Sequence, residues 1–509
     1  MSLKQNVAAN FVSQGWVVLM SFAFIPVYIK YLGIEAYGLI GFFTAIQAWM
    51  ALIDLGLSLT LNREVARYDA GQGNATEIRG LLGSVQLVYA AAGALLLAAV
   101  WASAPFLAEG WFQSSTLAHA VLQDSLRLFG FAIVVRWASQ IYRSAIQGLQ
   151  RQIWLSGFTV AAITVRSVGA VLLLMFGHAD VVTFFGWQLA VSLVEWLVLV
   201  LRVYGYLPPA GARFRVSLTP LRTVWRFAGG VLLTNLFAMV MTQSDKLVLS
   251  RMLSLEEFGY YTLAYTVGTA IAVFNAPVFQ AVSPRLTADM ASGNTGRGAV
   301  TYHKASQTMA LLVLPAAAVA IFHAQDLIYL WSADALLAQR CAALAAVFVG
   351  AYTLNSLIHV PAALALSAGW SGWGMITNAA AALLILPSLI VATRYFGALG
   401  AALANLGLNL LYFLVAVRYL HRRLLVSEWR SWLVRDNLVP MLVALGLASL
   451  SLAFTPEAAG RIAAALFLAV VWFVVSIAVA LSVPYPRGLV FAAAARARRA
   501  ITLRLSREP

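Results

Sequence analysis

The stretch Gly460-Arg461-Ile462-Ala463-Ala464-Ala465-Leu466-Phe467-Leu468-Ala469-Val470-Val471-Trp472-Phe473-Val474-Val475-Ser476-Ile477-Ala478-Val479-Ala480-Leu481-Ser482-Val483 holds one charge, in its first turn. About 20 apolar residues in an α-helix cross the hydrocarbon of a bilayer, and this run is longer. It reads as a membrane-spanning helix, and the rest of the chain repeats the pattern. Of 509 residues, 62% are hydrophobic and 10% charged, with a mean hydropathy of +0.84. A soluble domain is about 25% charged. This chain cannot cover itself with polar surface, which excludes a soluble globular protein, a disordered chain and a secreted disulfide scaffold. The expected class is an all-α polytopic membrane protein.

Spans are expected near 9–29, 38–61, 80–104, 120–146, 153–177, 181–203, 224–250, 257–284, 302–330, 338–366, 372–394, 398–420, 433–454 and 460–483. That makes about 14 crossings, with polar residues interrupting 120–146 and 302–330. The first stretch carries Asn10 and Gln14 and runs on without a cleavage pattern, so it reads as a retained span. A single cysteine, Cys341, excludes an intrachain disulfide.

The net charge is +15, and 30 of the 34 basic residues are Arg. In a soluble chain this balance would suggest nucleic acid. In a membrane chain it marks cytoplasmic loops and anionic headgroups, and no nucleic-acid partner is expected. With the N-terminus inside, 25 basic residues fall on inner segments and five (Lys30, Arg251, Arg340, Arg394, Arg461) on outer ones. Arg127, Arg136, Arg166 and Lys246 remain within spans. The split favours an even number of crossings with both termini cytoplasmic. The tail, with Arg496, Arg498, Arg499, Arg504 and Arg507, reads as a basic amphipathic segment on the inner membrane surface. No outer loop exceeds about 16 residues, so the function is expected among the helices.

Ile29-Lys30-Tyr31-Leu32-Gly33-Ile34-Glu35-Ala36-Tyr37-Gly38 parallels Ser250-Arg251-Met252-Leu253-Ser254-Leu255-Glu256-Glu257-Phe258-Gly259 at an offset of 221. Each has a basic residue, a short turn, an acidic residue and an aromatic-Gly pair opening a span. The same offset sets Gln14 against Asn235 and Asp54 against Asn275. An even number of spans lies between the copies, so they share an orientation, and parallel repeats are a transporter architecture. The expected organisation is an N-terminal lobe at 1–203, a cytoplasmic linker at 204–223 with Pro208, Pro209 and Pro220, and a C-terminal lobe at 224–422. Two extra spans at 423–486 and the tail at 487–509 follow, with two six-helix lobes flanking a central cavity.

The first 70 residues resemble the polysaccharide-transport flippases, whose superfamily also holds multidrug and toxin extruders and lipid II flippases. The residues that carry the resemblance are Asn10-Phe11-Val12-Ser13-Gln14, Pro26-Val27-Tyr28, Leu32-Gly33 through Tyr37-Gly38, and Asp54-Leu55-Gly56-Leu57 followed by Arg63-Glu64. Asp245-Lys246-Leu247-Val248-Leu249 and Phe258-Gly259-Tyr260-Tyr261 are similar to the same family in the second half. The resemblance implies transfer of an undecaprenyl-pyrophosphate-linked oligosaccharide to the outer leaflet of a bacterial inner membrane by alternating access. It also implies that glycosyltransferases or a polysaccharide polymerase act on the same glycan.

Such a substrate needs a hydrated path for sugar, cations for the pyrophosphate and a lateral gap for the polyprenyl tail. A charge inside the membrane costs about 2.5–3.5 kcal/mol on insertion scales and faces a cavity or a partner. Arg136, Gln140, Arg143 and Gln147 are spaced 4, 3 and 4 on one helical face. Two guanidiniums about 10 Å apart along a helix suit a diphosphate; the alternative for Arg143 is to snorkel to the interface. Arg166 and Glu195 lie about 12 and 17 residues below the turn near 178, an axial offset of about 7 Å. They are placed to form an ion pair or to leave Arg166 for substrate. Asp245 and Lys246 are neighbours pointing about 100° apart, so each is expected to need another partner. Asp245 is a candidate coupling site and Lys246 a phosphate contact, with an interlobe lock as the alternative.

Asp54 faces the same way as Ser58 and Gln47, with Arg63 and Glu64 two turns on at the inner mouth. Tyr261, Tyr265 and Thr269 form one stripe, and Tyr352, Asn355 and His359 another, able to contact sugars or to pack between helices. Asn10, Gln14, Asn235, Asn405 and Asn409 are cavity polars or interhelical glue. The substrate cavity is thus expected to use Arg136, Arg143, Arg166, Arg63, Lys246, Gln140, Asn10, Gln14, Tyr261 and Tyr265, with Asp54, Asp245, Glu195 and His359 in coupling or gating. Pro26, Pro277, Pro315, Pro361 and Pro387 bend spans.

An integral-membrane glycosyltransferase or polymerase is the alternative of another class. It needs a sizeable extramembrane loop, and the chain has no Walker sequence, metal-spaced His cluster or nucleophile elbow. No enzyme activity, cofactor or metal is expected. Within transporters, a multidrug/cation antiporter would want an acidic cavity, whereas the intramembrane balance here is basic.

Overall fold

Several helices begin or end where the sequence supplies a capping side chain or a left-handed residue. The computed structural model of the chain describes residues 3–54, 56–72, 74–177, 179–207, 219–293, 295–455, 460–488 and 491–492, with the side chains of 3–8, 51 and 219–235 also outside the description. The tail arginines from Arg496 onward, Pro208 and Pro209 of the linker, and the side chains of Lys4, Pro220 and Asn235 lie outside the described residues. Helix α1 (Leu3–Ala23) leads into α2 (Ile25–Leu32), which stops at Gly33, φ +84°. Helix α3 (Ile34–Ile53) ends at Asp54, and α4 (Leu57–Asp69) follows Gly56, φ +77°. Asn74 caps α5 (Ala75–Phe106) by accepting from the Thr76 amide at 3.0 Å. Then come α6 (His119–Gly148), α7 (Gln152–Phe176) and α8 (Val181–Tyr206), the last capped by Asp180 on the Thr183 amide at 2.8 Å. Helix α9 (Thr219–Met252) leads to α10 (Leu255–Thr269), α11 (Asn275–Ala291), α12 (Thr295–Phe322) and α13 (Ala324–Ser332). The chain closes with α14 (Ala335–Ser367), α15 (Gly372–Leu411), α16 (Val417–Leu424), α17 (Val439–Ser451) and α18 (Arg461–Ser482).

No strand occurs among the described residues, only an isolated bridge between Gln113 and Ser254. Ten helical segments among them are long and apolar enough to cross a bilayer. One of the ten, Gly372–Leu424, is broken by Gly397 at φ +57° near the junction expected between two spans. Helices also occupy the expected spans 38–61, 120–146 and 224–250. The protein is an all-α, multi-pass membrane protein.

The chain forms two compact units, Met1–Gly259 and Tyr260–Pro509. In the first, α6 lies at the centre against α4, α5 and α8, while α1 packs on α7 and α3 on α9. Lipid is as apolar as a side chain, so helices associate through close packing. A Cβ on Gly148 would lie 2.6 Å from the Asn62 carbonyl, and Asn62 Nδ2 donates to the Ser144 carbonyl at 3.2 Å beside it. Phe43, Phe129 and Phe185 fill the centre, with ring centroids 4.2–5.2 Å apart. In the second unit α12 and α14 form the core; α18 instead presents residues such as Ile462, 80% exposed, on a face only lipid can cover.

Both copies of the internal repeat are built as helix, short turn, helix: α2 to α3 through Gly33, and α9 to α10 through residues 253–254. Within the first unit they face each other reciprocally. A Cβ on Gly38 would lie 2.7 Å from the Leu255 carbonyl, and one on Gly259 would collide with the Ile34 carbonyl. Ile34 and Leu255, like Gly38 and Gly259, are 221 residues apart, so the contact is self-complementary in the way of a two-fold interface.

The same turn is tied down by Glu35. Its Oε1 accepts from the Ser115 amide and hydroxyl at 3.0 and 2.8 Å. Its Oε2 accepts from Ser114 Oγ, Thr116 Oγ1 and the Thr116 amide at 2.6, 2.7 and 3.2 Å. Burial opposes the charge, but the donors of Ser114, Thr116 and Ser115 outweigh it and hold the carboxyl at about 2.

Candidate functional site

Helices α6, α7 and α8 bring two guanidiniums to one carboxylate, with a third guanidinium, Arg136, nearby on α6. Glu195 on α8 accepts from Arg166 Nη2 of α7 at 2.5 Å and from Arg143 Nη2 of α6 at 3.4 Å. The depth offset read from the sequence therefore ends in contact. Arg143 Nη1 also donates to Thr159 Oγ1 at 3.1 Å, and its guanidinium lies 5.9 Å from the Phe158 ring centre. Arg166 Nε is buried and has no hydrogen-bond acceptor among the described residues.

Arg136, two turns from Arg143 on α6, forms no ion pair with a carboxylate among the described residues. Its Nε donates to Ser192 Oγ at 3.0 Å, its Nη2 to Gln188 Oε1 at 2.7 Å and its Nη1 to Gln47 Oε1 at 3.3 Å. A guanidinium has five N–H donors, so two remain, and neutral acceptors leave its charge uncompensated. Gln188, Ser192 and Glu195 are spaced 4 and 3, which places all three on one face of α8. Three cations and one anion give the cluster a surplus of two positive charges. Such a group can hold a multiply charged anion, each guanidinium presenting a planar pair of donors.

The remaining expected residues are dispersed. Gln140 and Gln14 are exposed and make no side-chain hydrogen bond among the described residues. Arg63, 70% exposed, pairs with Glu64 at 2.9 Å, and Arg67 joins the same carboxylate at 3.2 Å. Asn10 Oδ1 accepts from Gln152 Nε2 at 2.7 Å and Ser156 Oγ at 3.2 Å, joining α1 to α7. Asp54 caps the break before α4: its Oδ1 accepts from the Ser58 amide at 3.2 Å, from Ser58 Oγ at 2.6 Å and from the Tyr89 hydroxyl.

Lys246 Nζ lies 3.9 Å from Asp245 Oδ1 and donates to Gln243 Oε1 at 3.3 Å. Adjacent helix positions diverge at Cβ, but the four-carbon lysine stem curls back far enough for ion-pair range.

In the second unit Tyr261 is fully buried, its ring edge-on to Phe348 at 5.1 Å, so it packs here and lines no open space. Tyr265 meets Phe348 at 5.5 Å and Tyr352 at 5.6 Å. His359 Nδ1 donates to the Asn355 carbonyl at 3.0 Å, and Asn355, Asn409 and Asn405 form a ladder of 3.0 Å bonds.

Two groupings escaped the sequence reading. Gln188 and Ser192 are one; their spacing to Glu195 was the available signal. The other is centred on His303 of α12. Its Nδ1 bonds Asp436 and its Nε2 Glu428 Oε2 at 2.9 Å, while Gln307 Nε2 donates to Asp436 Oδ1 at 2.7 Å and Arg435 Nε to the same oxygen at 3.2 Å. The bond to His303 lowers the Glu428 carboxyl below its ordinary range. Asp436 is fully buried on a π-helical stretch, Ser431–Leu438, that has no sequence signature. Among the described residues no group of three or more His, Cys, Asp or Glu is placed to hold a metal ion.

Residues 3–289 match the family described as polysaccharide biosynthesis protein. A search of curated proteins finds no match. Among solved structures, the lipid II flippase MurJ in an inward closed conformation superposes with a TM-score of 0.71 at 14% identity, over 93% of this chain and 98% of that one. An inward-facing MATE family multidrug resistance transporter of the MOP superfamily gives 0.61 at 13% identity over 80% and 96%. The MATE multidrug transporter DinF-BH gives 0.58 at 14% identity over 83% and 95%. At these identities the likeness is one of fold.

Proposed function

Because the chain belongs to the polysaccharide biosynthesis protein family and has the fold of MurJ and the MATE transporters, we propose that it is a flippase for a polyprenyl-pyrophosphate-linked oligosaccharide. The glycan, carried on undecaprenyl pyrophosphate, passes from the cytoplasmic to the outer leaflet of a bacterial inner membrane, with both termini cytoplasmic. Residues 1–203 and 224–422 act as the lobes of an alternating-access cycle. Glycosyltransferases build the substrate on one side and a polymerase consumes it on the other.

The observation that supports this reading best is the cationic surplus at Arg136, Arg143 and Arg166 around the single Glu195. Arg136 and the open Nε of Arg166 receive the pyrophosphate; Arg143 and Glu195 hold the cluster in register. Asp54 and Asp245 are proposed for coupling, Lys246 and Arg63 for phosphate contacts at the two ends of the path, and Asn10, Gln14, Gln140, Tyr265 and His359 for the sugar path. A cation antiporter would present a surplus of acid in the same place. Purified protein in liposomes should move a polyprenyl-pyrophosphate sugar to the far leaflet. Failure to move it, with transport of a cationic dye against a proton or sodium gradient, would replace this reading by the antiporter.

A further inference from the structure

At the end of the first unit where α4, α6 and α8 finish, two tight turns and a helix end enclose a cavity of about 440 Å³. Tyr68, Asp69, Gly71, Leu149, Arg151 and Tyr206 line it. The volume suits a small ligand or a headgroup. Both turns pass through left-handed residues, Gly71 at φ +82° and Gln150 at φ +55°. A non-glycine residue there costs on the order of 1 kcal/mol, and it sets the adjoining Arg151 at the cavity wall.

Charge at this cavity is separated. Asp69 and Arg151 are both exposed on its lining, and neither forms an ion pair, with the other or elsewhere, among the described residues. Arg151 lies 5.4 Å from the centre of the Tyr206 ring. Arg202 lies 4.7 Å from the same centre, donates from Nε to Tyr206 Oη at 3.0 Å, and lies 5.2 Å from the Trp154 ring. Two guanidiniums therefore share one aromatic ring, and neither forms an ion pair with a carboxylate among the described residues. An anion would relieve their repulsion, but an anion alone would also face Asp69. A ligand carrying both signs, a phosphate next to a cationic group, satisfies both.

The depth of the cavity identifies the source. Trp154, Tyr204 and Tyr206, with Arg79 5.5 Å from the Tyr204 ring centre, surround the same helix ends. Aromatic and basic residues at span ends mark the headgroup level of a bilayer. We propose that this cavity binds the phosphoethanolamine headgroup of a membrane phospholipid, the phosphate on Arg151 and the primary ammonium on Asp69. The site is separate from the arginine cluster around Glu195, so its test does not depend on the flippase reading.

The experiment uses delipidated full-length protein in detergent, offered phosphatidylethanolamine, phosphatidylglycerol or soluble glycerophosphoethanolamine, with bound ligand read by native mass spectrometry. The wild type should retain phosphatidylethanolamine about tenfold over phosphatidylglycerol, the worth of one charge-assisted hydrogen bond. Asp69→Asn should abolish that preference, lowering phosphatidylethanolamine retention and raising that of phosphatidylglycerol. Arg151→Gln should lower retention of both lipids, with an unshifted melting transition showing that the variant is folded. An unchanged ratio in Asp69→Asn, or a wild-type preference for phosphatidylglycerol, overturns the proposal. Soluble glycerophosphoethanolamine held as tightly as the lipid overturns the assignment to the membrane.

Discussion

Replacing Arg136 with Gln should separate transport from folding. Arg136 donates to three neutral oxygens, on Ser192, Gln188 and Gln47. Losing three hydrogen bonds from a charged donor forfeits about 1.5–3 kcal/mol each, but the guanidinium no longer has to be desolvated, which returns several kcal/mol. The freed side chains can bond one another, so net stability should change by no more than about 1–2 kcal/mol. Glu195→Gln is the contrast. Arg143 and Arg166 would then converge on a neutral acceptor, and breaking a buried pair in that way costs about 3–5 kcal/mol. Transport should invert the ranking. One bidentate contact to a diphosphate is worth about 1.5–3 kcal/mol, so the lipid concentration for half-maximal transfer should rise roughly 10- to 150-fold in Arg136→Gln. Arg136→Lys, with its charge but not its fork, should fall between. The assay is transfer of a polyprenyl-pyrophosphate sugar across proteoliposomes, with melting followed in parallel. Undiminished transfer by folded Arg136→Gln would falsify the assignment of that residue to the substrate.

Three further outcomes follow from the packing. Gly259→Ala should lower the melting transition by the equivalent of about 1–3 kcal/mol, because the new methyl meets the Ile34 carbonyl, whereas Gly407→Ala, with nothing within 4 Å, should be neutral or stabilising. Glu35 has a carboxyl held at about 2, below its ordinary value of 4.5, so its contribution is complete above pH 4.5 and is lost as pH falls toward 2. Relative to Glu35→Gln, the wild type should be more stable by about 2 kcal/mol at pH 6, and a melting series should show that difference shrinking below pH 4.5. Asp436→Asn should cost about 3 kcal/mol or more by leaving His303 and Arg435 beside an uncharged group, read as early proteolysis between α16 and α17.

What could be read from the chain divides along a physical line. A bilayer penalises charge so strongly that apolar runs mark spans wherever they are clean, as at 460–483, and depth along two neighbouring helices was enough to bring Arg166 to Glu195. Neutral polar residues carry no such signal. Gln188 and Ser192 could be set on the face of Glu195, but nothing in the sequence says that α6 turns Arg136 toward that face. Tyr261 shows the converse: a stripe at helical spacing does not reveal that Phe348, 87 positions later, covers it. Glu35 and Asp436 are satisfied by partners at least 79 and 129 residues away, apart from the adjacent Arg435, and no local pattern encodes those contacts.

The cluster around Glu195 also explains why one acid stands among three bases. Three guanidiniums within neighbouring helices would repel one another and resist insertion into a membrane. Glu195 neutralises one charge and, by accepting from both Arg143 and Arg166, fixes the side chains that would otherwise swing apart. A second acid would halve the surplus and weaken the attraction for a phosphate. With a single carboxylate the ground state keeps a positive surplus, which an anionic ligand of the proposed kind would balance. Adding that acid at Gln188, the closest partner of Arg136 at 2.7 Å, should therefore stabilise the empty protein and weaken transport. If Gln188→Glu raised the melting transition and left transport at the wild-type level, the surplus would have no role in binding.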